Sequence, residues 1–177
     1  MSEMSEAIAI SRPETTSEER TWAALAHLST VLTLLVSLGT AGIGGLFLVF
    51  VPFVIYLIYK DKSRFVSFQA AQAFALQVVG TVGYFAMIVL GAALLIVAWV
   101  ITGVLSAILI GIILIPVALV LTLAYVLLLV AAPFVLGGYS IAAAVESGGG
   151  ANYYYPYLGQ WVSEWLSRQN NEVAPAV

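Results

Sequence analysis

Residues 65–145 read FVSFQAAQAFALQVVGTVGYFAMIVLGAALLIVAWVITGVLSAILIGIILIPVALVLTLAYVLLLVAAPFVLGGYSIAAAV, without one Asp, Glu, Lys or Arg. A charged side chain at the centre of a bilayer costs about 2.5–3.5 kcal/mol, so a membrane excludes charge from a spanning helix. A soluble core has no reason to exclude it so completely. The stretch predicts an all-α protein embedded in a membrane.

The composition of the whole chain agrees with this prediction. Hydrophobic residues make up 62% of the 177 residues and charged residues 8%, whereas soluble domains contain about 45–50% and 25%. The net charge of −3 and the lack of a Lys/Arg run argue against a nucleic-acid partner. Cysteine is absent, and no metal-ligating, nucleophilic or phosphate-binding motif occurs, so we expect neither enzymatic activity nor a cofactor.

Four membrane-spanning helices are predicted. The first covers 21–38 and follows a capping-box pattern at 16–19, and the second covers 46–59 with a kink at Pro52. The third covers 65–99 and ends in a turn at 101–103. The fourth, 103–145, would be about 64 Å long in a hydrocarbon core of about 30 Å.

The long fourth segment contains Pro116 and Pro133, either of which can bend a helix. One kinked helix is favoured over two spans because of the positive charges. With four spans, all six basic residues lie on one side of the membrane, and a fifth span would send Arg168 to the other side. The positive-inside rule therefore predicts a multi-pass protein of the cell (plasma) membrane with both termini in the cytoplasm.

The end of the chain carries aromatic residues and an amphipathic pattern. Four tyrosines fall within 153–157, and residues 157–168 alternate apolar and polar faces at helical spacing. We predict an interfacial helix lying on the membrane, with Pro156 in its first turn. The domain organisation expected is a disordered tail at 1–16, a membrane domain at 17–168 and a disordered tail at 169–177.

Two kinds of residue inside the spans are candidates for function or for packing. Gln69, Gln72 and Gln77 are more polar than a lipid-facing helix tolerates, so they are expected to face protein or the membrane interface. Small residues recur at helical spacing and permit close approach of a neighbouring helix. These small residues are Gly80, Gly83 and Gly91 in the third span, and Gly103, Ala107 and Gly111 after the predicted turn.

His27 is the only histidine and lies about 9 Å into the first span. It is either a proton or ligand contact inside the bundle or a hydrogen-bonded packing residue near the interface. The second interpretation is favoured because no carboxylate lies inside any span, and a proton relay usually needs one.

Three local patterns resemble a known family. They are WAALAHLS at 22–29, FVSFQAAQAFALQ at 65–77 and the pair Tyr155-Pro156. Together they are similar to the Tic-twenty-like family, four-span membrane proteins related to a protein-import component of the chloroplast inner envelope. The family often has ionisable residues where this chain has Gln69, Ala71 and Ala75, so the central segment is less polar here. The resemblance implies a role in protein translocation.

Several functional hypotheses follow. The first is an accessory, assembly or translocation subunit acting through helix–helix contacts, with membrane lipids and a membrane-protein partner or a homo-oligomer as partners. The alternative is a small oligomeric channel or permease, although the three glutamines form no continuous polar stripe on a helix. A third hypothesis is a bilayer-shaping protein that acts through its C-terminal helix.

Overall fold

The computed structural model describes residues 14–173, with side chains to residue 169. This part of the chain is all-α and contains no strand, as the sequence predicts. Six helices follow one another: α1 (Ser17–Gly39), α2 (Ile43–Leu48), α3 (Val51–Tyr59), α4 (Arg64–Ser106), α5 (Ile110–Gly148) and α6 (Leu158–Val173).

Helix α1 begins at the predicted capping box. The Glu19 amide donates to Thr16 Oγ1 at 3.2 Å, and the Thr16 amide donates back to Glu19 Oε2 at 2.8 Å. Both amides belong to the free first turn, which has no partners within the helix. The helix therefore starts with these donors satisfied.

The protein is a multi-pass membrane protein, but the prediction of four spans is not confirmed. Within residues 14–173, three helices are long and apolar enough to cross a membrane, namely α1, α4 and α5. The predicted second span is instead two short helices, α2 and α3, which together form an apolar segment at Ile43–Tyr59. Pro52 lies in the first turn of α3 and does not kink a continuous helix, because that turn needs no amide donor.

The predicted turn at 101–103 is wrong, because α4 continues to Ser106. A glycine is a weak helix breaker in lipid, where no water competes for the backbone hydrogen bonds. The hydroxyls of Thr102 and Ser106 also donate to carbonyls one turn earlier. The chain turns at 107–109, where Leu109 has φ 68°, and α5 then continues as one helix with Pro116 and Pro133 inside it.

The chain divides into two compact units. The bundle unit comprises the described residues up to Val78 and from Gly137 onward. Its core combines small residues of α1, such as Ala23 and Ala26, with Val66 and Ala70 of α4 and Val162 of α6. Small side chains on facing helices allow the backbones to pack closely without a large apolar core.

The hairpin unit, Val79–Leu136, is a pair of apolar helical segments from α4 and α5. Its hydrogen bonds between the two segments come from aromatic side chains. The Tyr84 hydroxyl donates to the Leu129 carbonyl at 3.3 Å, and Trp99 Nε1 donates to Thr122 Oγ1 at 3.0 Å. Most of its large apolar side chains are exposed, as expected of a surface that faces lipid.

Helix α6 differs from its predicted form in two ways. It begins at Leu158, after Pro156 in a turn, and extends to Val173, past the boundary expected at 168. Part of its apolar face also packs on protein, since Val162 is 1% exposed and the Trp165 ring lies 6.0 Å from that of Tyr56, while Trp161 on the same face is 59% exposed. The predicted disorder at 1–13 and 174–177 lies outside the described residues.

Candidate functional site

The bundle unit contains a buried polar cluster, which we define as His27, Gln69, Gln72, Tyr153 and Tyr155. His27 lies on the buried face of α1 with Ala23, Ala26, Thr30 and Thr33, which recur at helical spacing. Gln69 and Gln72 are three residues apart in α4, so both point to the same side of that helix. His27, Gln69 and Gln72 are all fully buried.

His27 connects α4 to the segment between α5 and α6. Its Nε2 lies 2.9 Å from Gln69 Oε1, and its Nδ1 lies 2.9 Å from the Tyr155 hydroxyl. Because the Gln69 oxygen can only accept, Nε2 carries the proton and Nδ1 accepts from the tyrosine. The imidazole is therefore a neutral link with both nitrogens satisfied.

Gln72 holds the backbone of the same segment. Its Nε2 donates to the Tyr153 carbonyl at 2.8 Å, and its Oε1 accepts from the Tyr155 amide at 3.1 Å. One side chain thereby satisfies a donor and an acceptor of a loop that has no secondary structure to pair with. Gly159 is needed beside it, because an added Cβ would lie 2.8 Å from Gln72 Oε1.

Gln69 completes the cluster through its amide nitrogen. The Nε2 donates to the Tyr153 carbonyl at 3.4 Å and contacts Asn152 Oδ1 at 3.5 Å. Each of the two buried glutamines thus bonds to the 152–155 segment, and Gln69 also bonds to His27. The start of α4 is polar and still lies inside the bundle, because hydrogen bonds satisfy the buried glutamine amides and the His27 imidazole.

Gln77 belongs to a second polar cluster with Ser29 and Thr33. The Thr33 hydroxyl donates to Gln77 Oε1 at 3.0 Å, and Gln77 Nε2 donates to Ser29 Oγ at 3.0 Å. The sequence already indicated that Gln77 points away from Gln72. The three glutamines therefore form two separate sets of hydrogen bonds. Gln69 and Gln72 bond within the buried polar cluster, whereas Gln77 bonds to two hydroxyls of α1.

The electrostatics of the cluster are those of neutral groups. Burial raises the pKa of the Tyr155 hydroxyl well above its usual range, so the hydroxyl stays protonated and remains a donor to His27. Burial, followed by the charge of Glu146, also raises the pKa of Tyr153. Within the described part of the chain, no three His, Cys, Asp or Glu residues are grouped as a metal site would require. The arrangement orients and anchors backbone segments.

The small residues singled out in the sequence lie in the hairpin unit, and only some of them have another group packed closely against them. A Cβ added at Gly80 would lie 3.0 Å from Leu136, and one at Gly91 would overlap the Tyr125 ring. One at Gly111 would overlap the backbone of Thr102 and Ser106. Gly83 and Gly103 have nothing within 4 Å of such an atom, and Ala107 lies in the turn.

Sequence reasoning missed the partners of the glutamines. Ser29 and Thr33 could have been found, because they lie four residues apart in α1 and so share one face of an otherwise apolar helix. The Tyr153 carbonyl could not, because a backbone acceptor leaves no mark in the sequence. Pro156, also singled out, lies in the exposed turn before α6, where its carbonyl accepts from the Leu158 amide at 2.8 Å.

The fold and the cluster define a multi-pass, all-α membrane protein held by buried neutral hydrogen bonds. Residues 18–162 match the sequence model of the MamF/MmsF family, described as the magnetosome magnetite crystal formation protein family. The match extends from the first turn of α1 into α6, so the chain belongs to this family. No curated protein and no solved structure matches the chain.

The family match corrects two predictions. The chain is not a Tic-twenty-like protein, and the translocation role implied by that resemblance is wrong. The resemblance was carried by the stretches at 22–29, 65–77 and 155–156, which are the ones that build the polar cluster. These stretches supply hydrogen bonds that hold the bundle unit together. Such a pattern does not distinguish one family of membrane proteins from another.

Proposed function

We propose that this protein resides in the magnetosome membrane and takes part there in the formation of the magnetite crystal, without catalysing a reaction. The observation that carries the proposal is the family match over 18–162. The matched residues include α1 to α5 and the whole polar cluster. The neutral, fully bonded character of that cluster supports a structural role for it.

The proposed orientation places both termini and the 60–63 loop in the cytoplasm, which requires the shorter apolar segment Ile43–Tyr59 to cross the membrane as a fourth span beside α1, α4 and α5. All six basic residues lie in or beside these parts of the chain, as the positive-inside rule requires. The turns at 40–42 and 107–109 contain no charged residue and face the other side. In a membrane that encloses a crystal, the other side is the one that faces the crystal. The two turns proposed to lie there contain no carboxylate.

Single cysteines test the orientation cleanly, because the chain has none of its own. Ser163→Cys, in α6, should react with a membrane-impermeant maleimide added to intact isolated magnetosomes, whose outer face is the cytoplasmic one. Ile108→Cys, in the turn between α4 and α5, should react only after the magnetosome membrane has been permeabilised. The reverse pattern would refute the orientation and leave the role in crystal formation open.

The functional proposal is tested by deletion in a magnetite-forming bacterium that carries this protein. Electron microscopy of the deletion strain should show crystals of altered size or shape, and the wild-type chain supplied in trans should restore them. A fluorescent fusion should lie with the crystals. Normal crystals in the deletion strain, or a fusion spread over the cell membrane alone, would overturn the proposal.

The predicted membrane-protein partner or homo-oligomer is retained within this proposal. The exposed apolar surface of the hairpin unit supports contact with lipid and leaves faces on which another membrane helix can pack. Purification from the magnetosome membrane in mild detergent, followed by mass measurement of the intact particle, distinguishes a second copy from a different protein. A lone monomer would remove this part of the proposal.

A further inference from the structure

A groove of about 420 Å³ runs along the outer face of α1 in the bundle unit. Polar side chains line it near the start of the helix, and apolar side chains line it further along. The lining residues of α1 are Ser17, Arg20, Thr21, Ala24, Leu25 and Leu28. Gly148, at the end of α5, also lines it, and a Cβ there would lie 3.6 Å from that of Ala24.

The order of these residues matches the structure of a phospholipid. From Ser17 to Leu28 the helix rises about 16 Å, which carries the groove from the headgroup level toward the hydrocarbon. Arg20 lies at the polar end, while Leu25 and Leu28 are each 43% exposed at the apolar end. A headgroup and the first part of an acyl chain fit such a gradient.

Arg20 supplies the charge. Its side chain is half-buried and forms no ion pair or hydrogen bond with any of residues 14–169. The two acidic residues beside it are engaged elsewhere, because Glu18 accepts from the Tyr59 hydroxyl and Glu19 from Thr16. A half-buried guanidinium is stabilised by an anion, and its planar fork suits a phosphate.

The backbone amides at the start of α1 contribute less to an anion site in the groove, because the capping box satisfies those of Thr16 and Glu19. The Thr21 hydroxyl donates to the Ser17 carbonyl at 2.8 Å, which leaves its oxygen able to accept only. The guanidinium is therefore the group that selects for a negative ligand.

We propose that this groove binds a glycerophospholipid with an anionic headgroup, its phosphodiester on Arg20 and an acyl chain along Leu25 and Leu28. This inference goes beyond the proposed function and holds whether or not the protein affects magnetite. A bound anionic lipid would fix the level of α1 in the membrane at the end that carries Arg20.

Native mass spectrometry of the full-length protein tests the proposal, with phosphatidylglycerol and phosphatidylcholine as the two probes. The wild-type protein should retain phosphatidylglycerol in preference. Arg20→Gln should weaken that binding about fivefold, the effect expected of one basic residue at an anionic membrane. Arg20→Lys should keep part of it, and circular dichroism should show unchanged helicity in both variants.

Arg168→Gln is the matched control, because Arg168 is exposed and already paired with Glu164 at 3.8 Å. It should bind phosphatidylglycerol like the wild type. Equal retention of the two lipids, or an equal loss in Arg20→Gln and Arg168→Gln, would overturn the proposal. Displacement of phosphatidylglycerol by inorganic phosphate would show a phosphate site and would also overturn it.

Discussion

The bundle unit and the hairpin unit use the same two long helices but different hydrogen bonds. In the bundle unit, buried side chains bond to one another and to an irregular loop, as His27 does to Gln69 and Tyr155. In the hairpin unit, the Tyr125 hydroxyl bonds to the Met87 and Ile88 carbonyls, which already accept from amides of their own helix. Loss of a bond should therefore leave a buried polar group without a partner in the bundle unit, but not at the Tyr125 contact of the hairpin unit.

The largest effect should come from Gln69→Leu in the bundle unit. The substitution keeps the side-chain volume but leaves the His27 Nε2 proton without its acceptor in a site that water does not reach. The free energy of unfolding should fall by about 2–3 kcal/mol, measured by titration with denaturing detergent. Gln160→Leu, at an exposed position of α6, is the control and should change it by less than about 0.5 kcal/mol. Equal effects at the two sites would show that the buried bond of Gln69 contributes nothing to the stability of the bundle unit.

A smaller effect is expected from Gly91→Ala in the hairpin unit. The added methyl group would overlap the Tyr125 ring, whose hydroxyl bonds to the Met87 and Ile88 carbonyls. The cost should be about 1–2 kcal/mol after the gain in helix propensity is subtracted.

Gly83→Ala is the matched variant, because an added Cβ there has nothing within 4 Å. It should leave the stability unchanged or raise it slightly. Amide hydrogen exchange of residues 79–136 would locate the effect of each variant. Equal protection in Gly91→Ala and Gly83→Ala would show that the close contact with Tyr125 contributes nothing.

The smallest effect should come from Tyr125→Phe. The Met87 and Ile88 carbonyls lose their contacts of 3.2 and 3.0 Å with the tyrosine hydroxyl but keep their bonds within the helix. A loss of about 0.6 kcal/mol is expected, the average for hydrogen bonds between membrane helices. A loss as large as that of Gln69→Leu in the same titration would mean that the hairpin unit also depends on individual polar contacts.

The sequence predicted the helical class and the polar positions better than it predicted their partners. Charge-free stretches and the capping box indicated the membrane helices and the start of α1, because both signals are local. His27 and the glutamines stood out as polar residues in apolar surroundings. Their pairings join residues 42 and 128 positions apart, and no periodicity encodes such contacts.

The errors of prediction have physical causes as well. Gly103 suggested a turn, but an apolar environment keeps the helix intact to Ser106. Pro52 suggested a kink, but it lies where a new helix begins. The family was misjudged because the motifs that suggested it are those that hold the bundle together.

The bond between His27 and Tyr155 tests this account most directly, because it closes the bundle unit across 128 residues of chain. The measurement is a double-mutant cycle of His27→Leu and Tyr155→Phe, with unfolding free energies of the full-length protein in mixed micelles. The account predicts a coupling of about 1 kcal/mol between the two substitutions. Strictly additive effects would contradict it, because the two side chains would then not be bonded in the folded protein.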